Sequence, residues 1–364
     1  MKKFINHLKK IDWILTASAV LLSGFGIVSI FSSSIRSGDF VNFQKQIFFF
    51  IFGLFLMIVV SFIDWRILRD QPYLILTLYF FCLVSLVGLF FLAPEIHGTK
   101  SWYKIGAISL DPIEFSKIIL LILLAKYFSM RHVEMYRIKH IILSGIYISI
   151  PAALIFFQPN LGPVLVLFGV WAGILLISGI KIRHFLILSF CGILVVALGW
   201  VFVLREYQKE RIIGFMLPQA DPLGINWNQN QAKIAIGSGG IWGRGIGRGP
   251  QTQHGFLPAP QTDFIFSSIA EETGLAGVSL IFSLFLLFLY RIIRIAIDSK
   301  TNFPRLFASG FAVLIMVQIF INIGMNLGIL PIIGIPLPLL SYGGSNLVTT
   351  FLALGILQSI RVED

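Results

Sequence analysis

The sequence predicts an all-α, polytopic membrane protein of ten transmembrane helices, and three observations carry that prediction. Of the 364 residues, 57% are hydrophobic and 12% charged, about half the charge of an ordinary soluble domain. Phenylalanine occurs 35 times, more aromatic surface than a soluble core hides but no burden to lipid acyl chains. The apolar residues also fall in runs of roughly 20, the length a bilayer requires of a helix.

In chain order the spans are expected at about 12–32, 45–63, 73–93, 112–130, 141–158, 162–181, 184–204, 264–292, 305–329 and 339–360. The first follows a basic leader, Met1-Lys2-Lys3 through Lys9-Lys10. Its apolar run continues past Ala17 and Ala19 to Phe31, too long for a signal-peptide core, so it reads as a retained helix. The second opens on Lys45-Gln46 and the fourth on Asp111-Pro-Ile-Glu-Phe-Ser-Lys117. The eighth begins at Thr262-Asp263-Phe264. Between the ninth and tenth, Asn326 to Ser345 holds Pro331, Pro336 and Pro338. Broken backbone at that depth is tolerated where it packs in protein or lines a cavity. The whole chain, 1–364, forms one transmembrane domain with one long connection at about 205–262.

An even number of spans puts both termini on one side. Placing them in the cytoplasm gives 17 Lys and Arg at the inner ends and loops, against Arg36, Lys45, Lys100 and Lys104 in the short outer ones, which is the asymmetry the positive-inside rule describes. The connection 205–262 is then extracellular, between helices 7 and 8, and a segment of that length usually has a function. It carries Asn226-Trp-Asn-Gln-Asn-Gln231 and then Gly237-Ser-Gly-Gly-Ile-Trp-Gly-Arg-Gly-Ile-Gly-Arg-Gly249. Seven glycines there let the backbone approach another surface and expose N–H groups suited to anionic oxygens. The alternative is a flexible linker, against which the interleaved Trp242, Arg244 and Arg248 count.

The formal net charge of +11 belongs to membrane-flanking loops rather than to a nucleic-acid surface. Cys82 and Cys191 each sit in an apolar run without the spacing of a disulfide framework or zinc site. No stretch is long and polar enough to be a soluble nucleotide domain, so direct use of ATP is not expected.

Ionisable groups within spans are costly and are functional candidates by default. Asp263 stands where the long connection enters the eighth span. An acid there stabilises a helix N-terminus; a carboxylate at the outer membrane surface is also placed to act as a general base. Ser267 and Glu271, four and eight residues on, share its helix face, a polar stripe that points to a water-filled cavity. Glu114 and Lys117 are neighbours three apart, either a mutually neutralising pair or part of a substrate pathway. Lys45 and Lys233 add cations on the same side. Each alone reads as a snorkelling lysine, and together they can hold a diphosphate.

At these residues the sequence resembles the SEDS family (shape, elongation, division and sporulation), which includes RodA, FtsW and sporulation proteins. The matching stretches are Gly98-Thr-Lys-Ser-Trp102, Pro112-Ile-Glu-Phe-Ser-Lys117, Gln158-Pro-Asn-Leu-Gly162, Ala235-Ile-Gly-Ser-Gly-Gly240, Thr262-Asp-Phe-Ile-Phe266 with Glu271-Glu272, and Pro331-Ile-Ile-Gly334 followed by Pro338-Leu-Leu-Ser-Tyr-Gly-Gly-Ser345. They occur in the family's order over nearly the whole chain. Two departures are Asn160, where the family usually has Asp, and Asn346, where it has a second small residue. Short tails favour the RodA branch over FtsW.

The resemblance implies a peptidoglycan glycosyltransferase of the bacterial cytoplasmic membrane that polymerises lipid II on its outer face. Asp263 corresponds to the family's required acid, and Glu114 and Lys117 to its fourth-span pair. It also implies a partner, a class B penicillin-binding protein with a single span that crosslinks the strands. With one prominent acid, inversion at the donor anomeric carbon is expected rather than a retaining pair of carboxylates. Lys117, Lys45, Lys233, Arg244 and Arg248 are the expected cations for the departing diphosphate. No cofactor is firmly expected, although a divalent ion such as magnesium would suit that charge. Two rival classes are a lipid II flippase, for which membrane-embedded charges and broken helices also suit, and a scaffold without chemistry. Against the flippase, the best acid and the elaborate loop lie on one face, whereas alternating access needs a midplane site.

Overall fold

The computed structural model describes residues 7–95, 100–106, 108–131, 138–202, 206–217 and 226–363. Lys2, Lys3 and Arg137 of the charge count, and Gly98-Thr99 of the quoted motif, lie outside them. The chain is mostly helical, in keeping with the expected class. Helices α1 (Trp13–Ser37), α2 (Val41–Ser61), α3 (Arg66–Asp70) and α4 (Pro72–Leu92) lead to a small hairpin, β1 (Tyr103–Ile105) and β2 (Ile108–Leu110), paired antiparallel with Lys104 opposite Ser109. Then follow α5 (Pro112–Ser129), α6 (Ile138–Phe157), α7 (Leu161–Ile177) and α8 (Ile182–Phe202). The long connection is not one loop. It contains α9 (Glu206–Met216), α10 (Trp227–Ser238) and the single turn α11 (Pro250–Gln253), ahead of α12 (Ile265–Asp298), α13 (Asn302–Leu327) and α14 (Gly344–Glu363).

Among the described residues, eight helices are long and apolar enough to cross a membrane. The two other expected spans are α7, with 17 residues, and α5, whose 18 residues include Glu114, Lys117 and Lys126. Helix α5 is buried on nearly every face, Glu114 and Lys117 included, so those two charges meet protein rather than lipid, which is how a spanning helix tolerates them.

Small residues set the closest packing, as expected where no hydrophobic force separates helix from lipid. Gly53 of α2 receives the ring of Phe351, and Gly355 of α14 lies against Met57 and Val60. Gly169 and Gly173 of α7 admit Val317 and Val313 of α13. On the bundle's outside, large side chains such as Phe55, Phe80, Phe81 and Phe91 are exposed, a surface that suits acyl chains.

The first and last described helices meet at one end of the bundle. Lys10 Nζ donates to the Val362 carbonyl (3.3 Å), and Asp12, the N-cap of α1, pairs with Arg291 of α12 (2.5 Å) while its backbone N–H donates to Gln358 Oε1 (2.8 Å). Helix α12 is broken at Gly274, whose φ of 64° and ψ of −164° are non-helical. Its 34 residues would otherwise extend about 51 Å, far more than a bilayer core of about 30 Å.

Candidate active site

Asp263 lies in the turn 260–264, and that turn is held carbonyl by carbonyl. Tyr342 N–H donates to Gln261 O (2.7 Å), and Ser341 Oγ donates to Thr262 O (2.7 Å). Asp263 O accepts from two amides, Asn322 Nδ2 (3.1 Å) and Asn326 Nδ2 (2.9 Å). The asparagines are four apart on α13 and so share one face. Their remaining capacity is also used: Asn322 Nδ2 donates to Ile335 O (2.8 Å), and Asn326 Oδ1 accepts from Ser267 Oγ (2.6 Å). With its backbone fixed on three successive carbonyls, the Asp263 side chain stays half-buried. Oδ2 faces Gly334, where a Cβ would come within 3.4 Å of it, and Gly334 itself has φ 77°. The broken backbone between α13 and α14 is thus packed against the acid's turn.

Glu114 and Lys117, in the first turns of α5, form an ion pair of 2.7 Å with side chains 9% and 3% exposed. The second carboxylate oxygen of Glu114 accepts from Asn346 Nδ2 (2.8 Å). Both Glu114 oxygens are therefore satisfied, which a buried pair needs if attraction is to offset desolvation. Asp111 caps α5 by accepting from Ile113 N–H (2.9 Å), and its own N–H donates to Ser345 Oγ (2.8 Å). Burial, reinforced by the Glu114 charge, pushes the Asp111 carboxyl up to about 8.

One short run, Ser341 to Asn346, joins these two places. It holds the Asp263 turn through Ser341 and Tyr342, and α5 through Ser345 and Asn346. Gln46 of α2 ties in as well, donating from Nε2 to Ser341 O (3.2 Å) and accepting at Oε1 from Gly343 N–H (3.3 Å). Its neighbour Lys45 is half-buried on α2. Lys233, on α10, lays its side chain across Gly328 at the C-terminal end of α13.

Arg244 and Arg248 are placed differently. The glycine-rich segment packs on α12, and its amides are spent there: Arg244 N–H donates to Glu271 O (2.9 Å) and Gly245 N–H to Glu272 O (2.9 Å). Gly247 N–H reaches Glu272 Oε1 (3.2 Å), which also accepts from Ser32 Oγ. Glu271 is equally committed, accepting from Gln251 N–H (2.7 Å), Thr252 N–H (3.0 Å) and Thr252 Oγ1 (2.8 Å). This corrects two expectations. The glycines serve close approach to α12 rather than open N–H groups for an anion. A Cβ on Gly239 or Gly243 would strike the backbone of Ala270 or Glu272. Ser267 and Glu271 are fully buried within protein, so that stripe lines no water-filled cavity. Among the described residues, Lys45, Lys233, Arg244 and Arg248 form no ion pair.

Among the described residues no three His, Cys, Asp or Glu gather as a ligand set. Sequence reasoning missed Asn322, the holding role of Asn326 and Asn346, and the part played by Gln46. The signal available was polar amides at helical spacing inside otherwise apolar spans.

Three comparisons bear on this arrangement. The FtsW/RodA/SpoVE family model, described as cell cycle protein, matches residues 12–364. The peptidoglycan glycosyltransferase MrdB of Escherichia coli K12 is 35% identical over 315 residues, covering 85% of this chain and 83% of that protein. The stage V sporulation protein E of Bacillus subtilis is 33% identical over 362 residues and covers 96% of each. Among solved structures, the rod shape determining protein RodA of Thermus thermophilus aligns with a TM-score of 0.72 at 28% identity, covering 96% of both chains. A chain of a peptidoglycan synthase complex, described as coordinating polymerization and crosslinking, aligns with a TM-score of 0.82 at 30% identity over 97% of this chain and 99% of that one.

Proposed function

The chain belongs to the FtsW/RodA/SpoVE family of cell cycle proteins, and from that premise we propose that it is a peptidoglycan glycosyltransferase polymerising lipid II at the outer face of the cytoplasmic membrane. In this reading the bundle has ten spans, α5 and α7 included, with both termini in the cytoplasm and the Asp263 turn at the opposite, external end. Asp263 is the general base. It removes the proton from the sugar 4-hydroxyl of one lipid II as that oxygen attacks the anomeric carbon of the lipid-linked glycan donor. The new C–O bond forms opposite the breaking one, the electron pair leaves with the diphosphate, and α becomes β. The activated leaving group supplies the driving force, so no nucleotide is consumed.

The observation that carries this reading is the fixed turn at 261–263. Holding three consecutive carbonyls positions one carboxylate before any substrate arrives, and such preorganisation is where enzymes gain most of their electrostatic advantage. Lys45 and Lys233 are the cations we assign to the departing diphosphate. Glu114 and Lys117, enclosed and satisfied, act as positioning residues that set the Ser341–Asn346 run. Arg244 and Arg248 we place outside the reacting centre, because their segment is pinned to Glu271 and Glu272, about 12 Å along α12 from Asp263. A class B penicillin-binding protein is the proposed crosslinking partner, supported by the alignment with a synthase complex.

The test is polymerisation of purified lipid II by the full chain with its partner, comparing wild type with Asp263→Ala. We expect no glycan polymer from the variant at unchanged thermal stability. Near-normal polymer would remove Asp263 from the role. Lipid II translocation without any polymer from the wild type would favour transport instead.

A further inference from the structure

The glycine-rich segment 241–248 presents an unusual surface. Trp242 is 83% exposed, Ile241 63% and Ile246 55%, with Arg244 and Arg248, also exposed, set between and beside them. Three large apolar groups projecting into water from a rigid backbone would be unfavourable, and such patches mark something that covers them.

The depth of the segment follows from the helix that it touches. On α1, Asp12 caps one end and pairs with Arg291 of α12, beside the exposed Arg294 and Asp298. This charged layer marks one membrane boundary. Twenty residues further along α1, Ser32 meets Glu272 of α12 and Gly247 N–H of the segment (2.9 Å). Twenty residues of helix rise about 30 Å, which is the thickness of the hydrocarbon core. The second layer therefore lies at the opposite boundary, and the segment is locked at that height through Glu272.

The α12 stretch before Gly274 does not climb away from this level. Gln261, just ahead of it, donates to Ser34 Oγ (3.2 Å), and Glu272, near its end, accepts from Ser32. Those serines are separated by about 3 Å of rise, so the stretch runs close to the membrane plane. The segment is also continuous with lipid-facing surface: Ile35, exposed near the end of α1, lies 3.2 Å from where a Cβ on Gly247 would stand, and Leu275 just beyond the break is exposed.

We propose that residues 241–248 are a membrane-interface anchor, with Trp242, Ile241 and Ile246 entering the boundary between acyl chains and headgroups while Arg244 and Arg248 hold lipid phosphates. Tryptophan prefers that boundary, where its ring is apolar and its N–H reaches water. Arginine stems lie along the apolar layer with the guanidinium among phosphates. The tie to Glu271 and Glu272 gives the anchor its purpose: it holds the substrate-facing end of α12 at a constant height in the bilayer.

The test uses the full chain in nanodiscs of phosphatidylethanolamine and phosphatidylglycerol. Seven tryptophans are present, so Trp242 emission is isolated as the difference between wild type and Trp242→Phe. Lipids brominated near the headgroup end of the acyl chain should quench that emission at least about twofold, and aqueous iodide should leave it nearly unchanged, as expected of an interfacial ring. Quenching by iodide without quenching by bromolipid overturns the proposal, because the segment is then in water. Protection from both overturns it too, because a protein surface or a second copy then covers the ring. In Arg244→Gln/Arg248→Gln, bromolipid quenching should weaken and lose its dependence on phosphatidylglycerol. Wild-type quenching and dependence in that variant would refute the role of the arginines.

Discussion

Asn346 completes the coordination of Glu114: its amide donates to the carboxylate oxygen that Lys117 does not engage, at 2.8 Å against 2.7 Å for the lysine. Asn346 thus supplies a hydrogen bond to a buried charge. Asn346→Ala should destabilise the protein by about 1–3 kcal/mol, the cost of leaving a buried acceptor short of a partner. Lys117→Ala should cost more, about 3–5 kcal/mol, because Glu114 is then left buried without its ion-pair partner. Thermal unfolding of both variants in one detergent gives the comparison, and an Asn346 variant that melts later than the lysine variant is expected.

Asn322 and Asn326 hold the Asp263 carbonyl. Replacing both with alanine should let the turn shift, and displacement of a catalytic group by about 1 Å can cost 100-fold. The measured quantity is kcat for lipid II polymerisation, with KM alongside; a fall in kcat at nearly constant KM marks a positioning effect. Unchanged kcat would show that the other two carbonyl contacts suffice.

Gly334 combines positive φ with a close approach to Asp263 Oδ2. Alanine there should cost about 1–2 kcal/mol from left-handed backbone alone, with its methyl in ordinary van der Waals contact with the carboxyl. Thermal unfolding should register that loss, while polymerisation measured well below the melting range should stay near the wild-type rate; a large fall in rate at unchanged melting would show that the contact, not the strain, matters.

Asp111 gives a pH signature. Its carboxyl titrates near 4 in the unfolded chain and is raised to about 8 in the fold by burial and by Glu114, with Lys117 opposing. Folding therefore takes up a proton between those values, and stability contributed by this group falls as pH rises through that window, then levels above it. Asp111→Asn keeps a capping oxygen and should flatten the dependence of melting temperature on pH. An identical slope in the variant would assign the effect elsewhere.

Gly243→Ala tests what the glycine-rich segment is for. With φ 79° and a Cβ directed at the Glu272 carbonyl, the substitution should loosen the segment from α12. Limited proteolysis should then cut within 239–249 faster than in wild type. A flexible linker would tolerate the change.

The sequence made the spans legible because hydropathy acts locally over about 20 residues, and it made Glu114–Lys117 legible because three-residue spacing on a helix is contact. Asp263 was legible as an acid entering a span. What it did not disclose was how Asp263 is held, since Asn322 and Asn326 lie 59 and 63 residues away and their amides look like ordinary polar interruptions of α13. The glycine-rich segment was read as anion-seeking because free amides follow from composition. Their capture by Glu271 and Glu272 depends on packing between segments some 25 residues apart. The hairpin at 103–110 was missed as well, its two three-residue strands being too short to show alternation.

The break at Gly274 has a mechanical consequence. Ahead of it, the chain is fastened to Ser34, Ser32 and the α13 asparagines; behind it, the spanning part of α12 is fastened to Asp12. The break itself is clamped: Leu275 and Ala276 N–H donate to the Gly240 and Ile241 carbonyls (2.9 and 3.0 Å), while Arg244 and Gly245 N–H donate to Glu271 and Glu272 just ahead of it. One short stretch of chain therefore splints the two parts of α12 at a fixed angle, and the bend that turns the helix toward Asp263 is set by backbone rather than by side-chain packing.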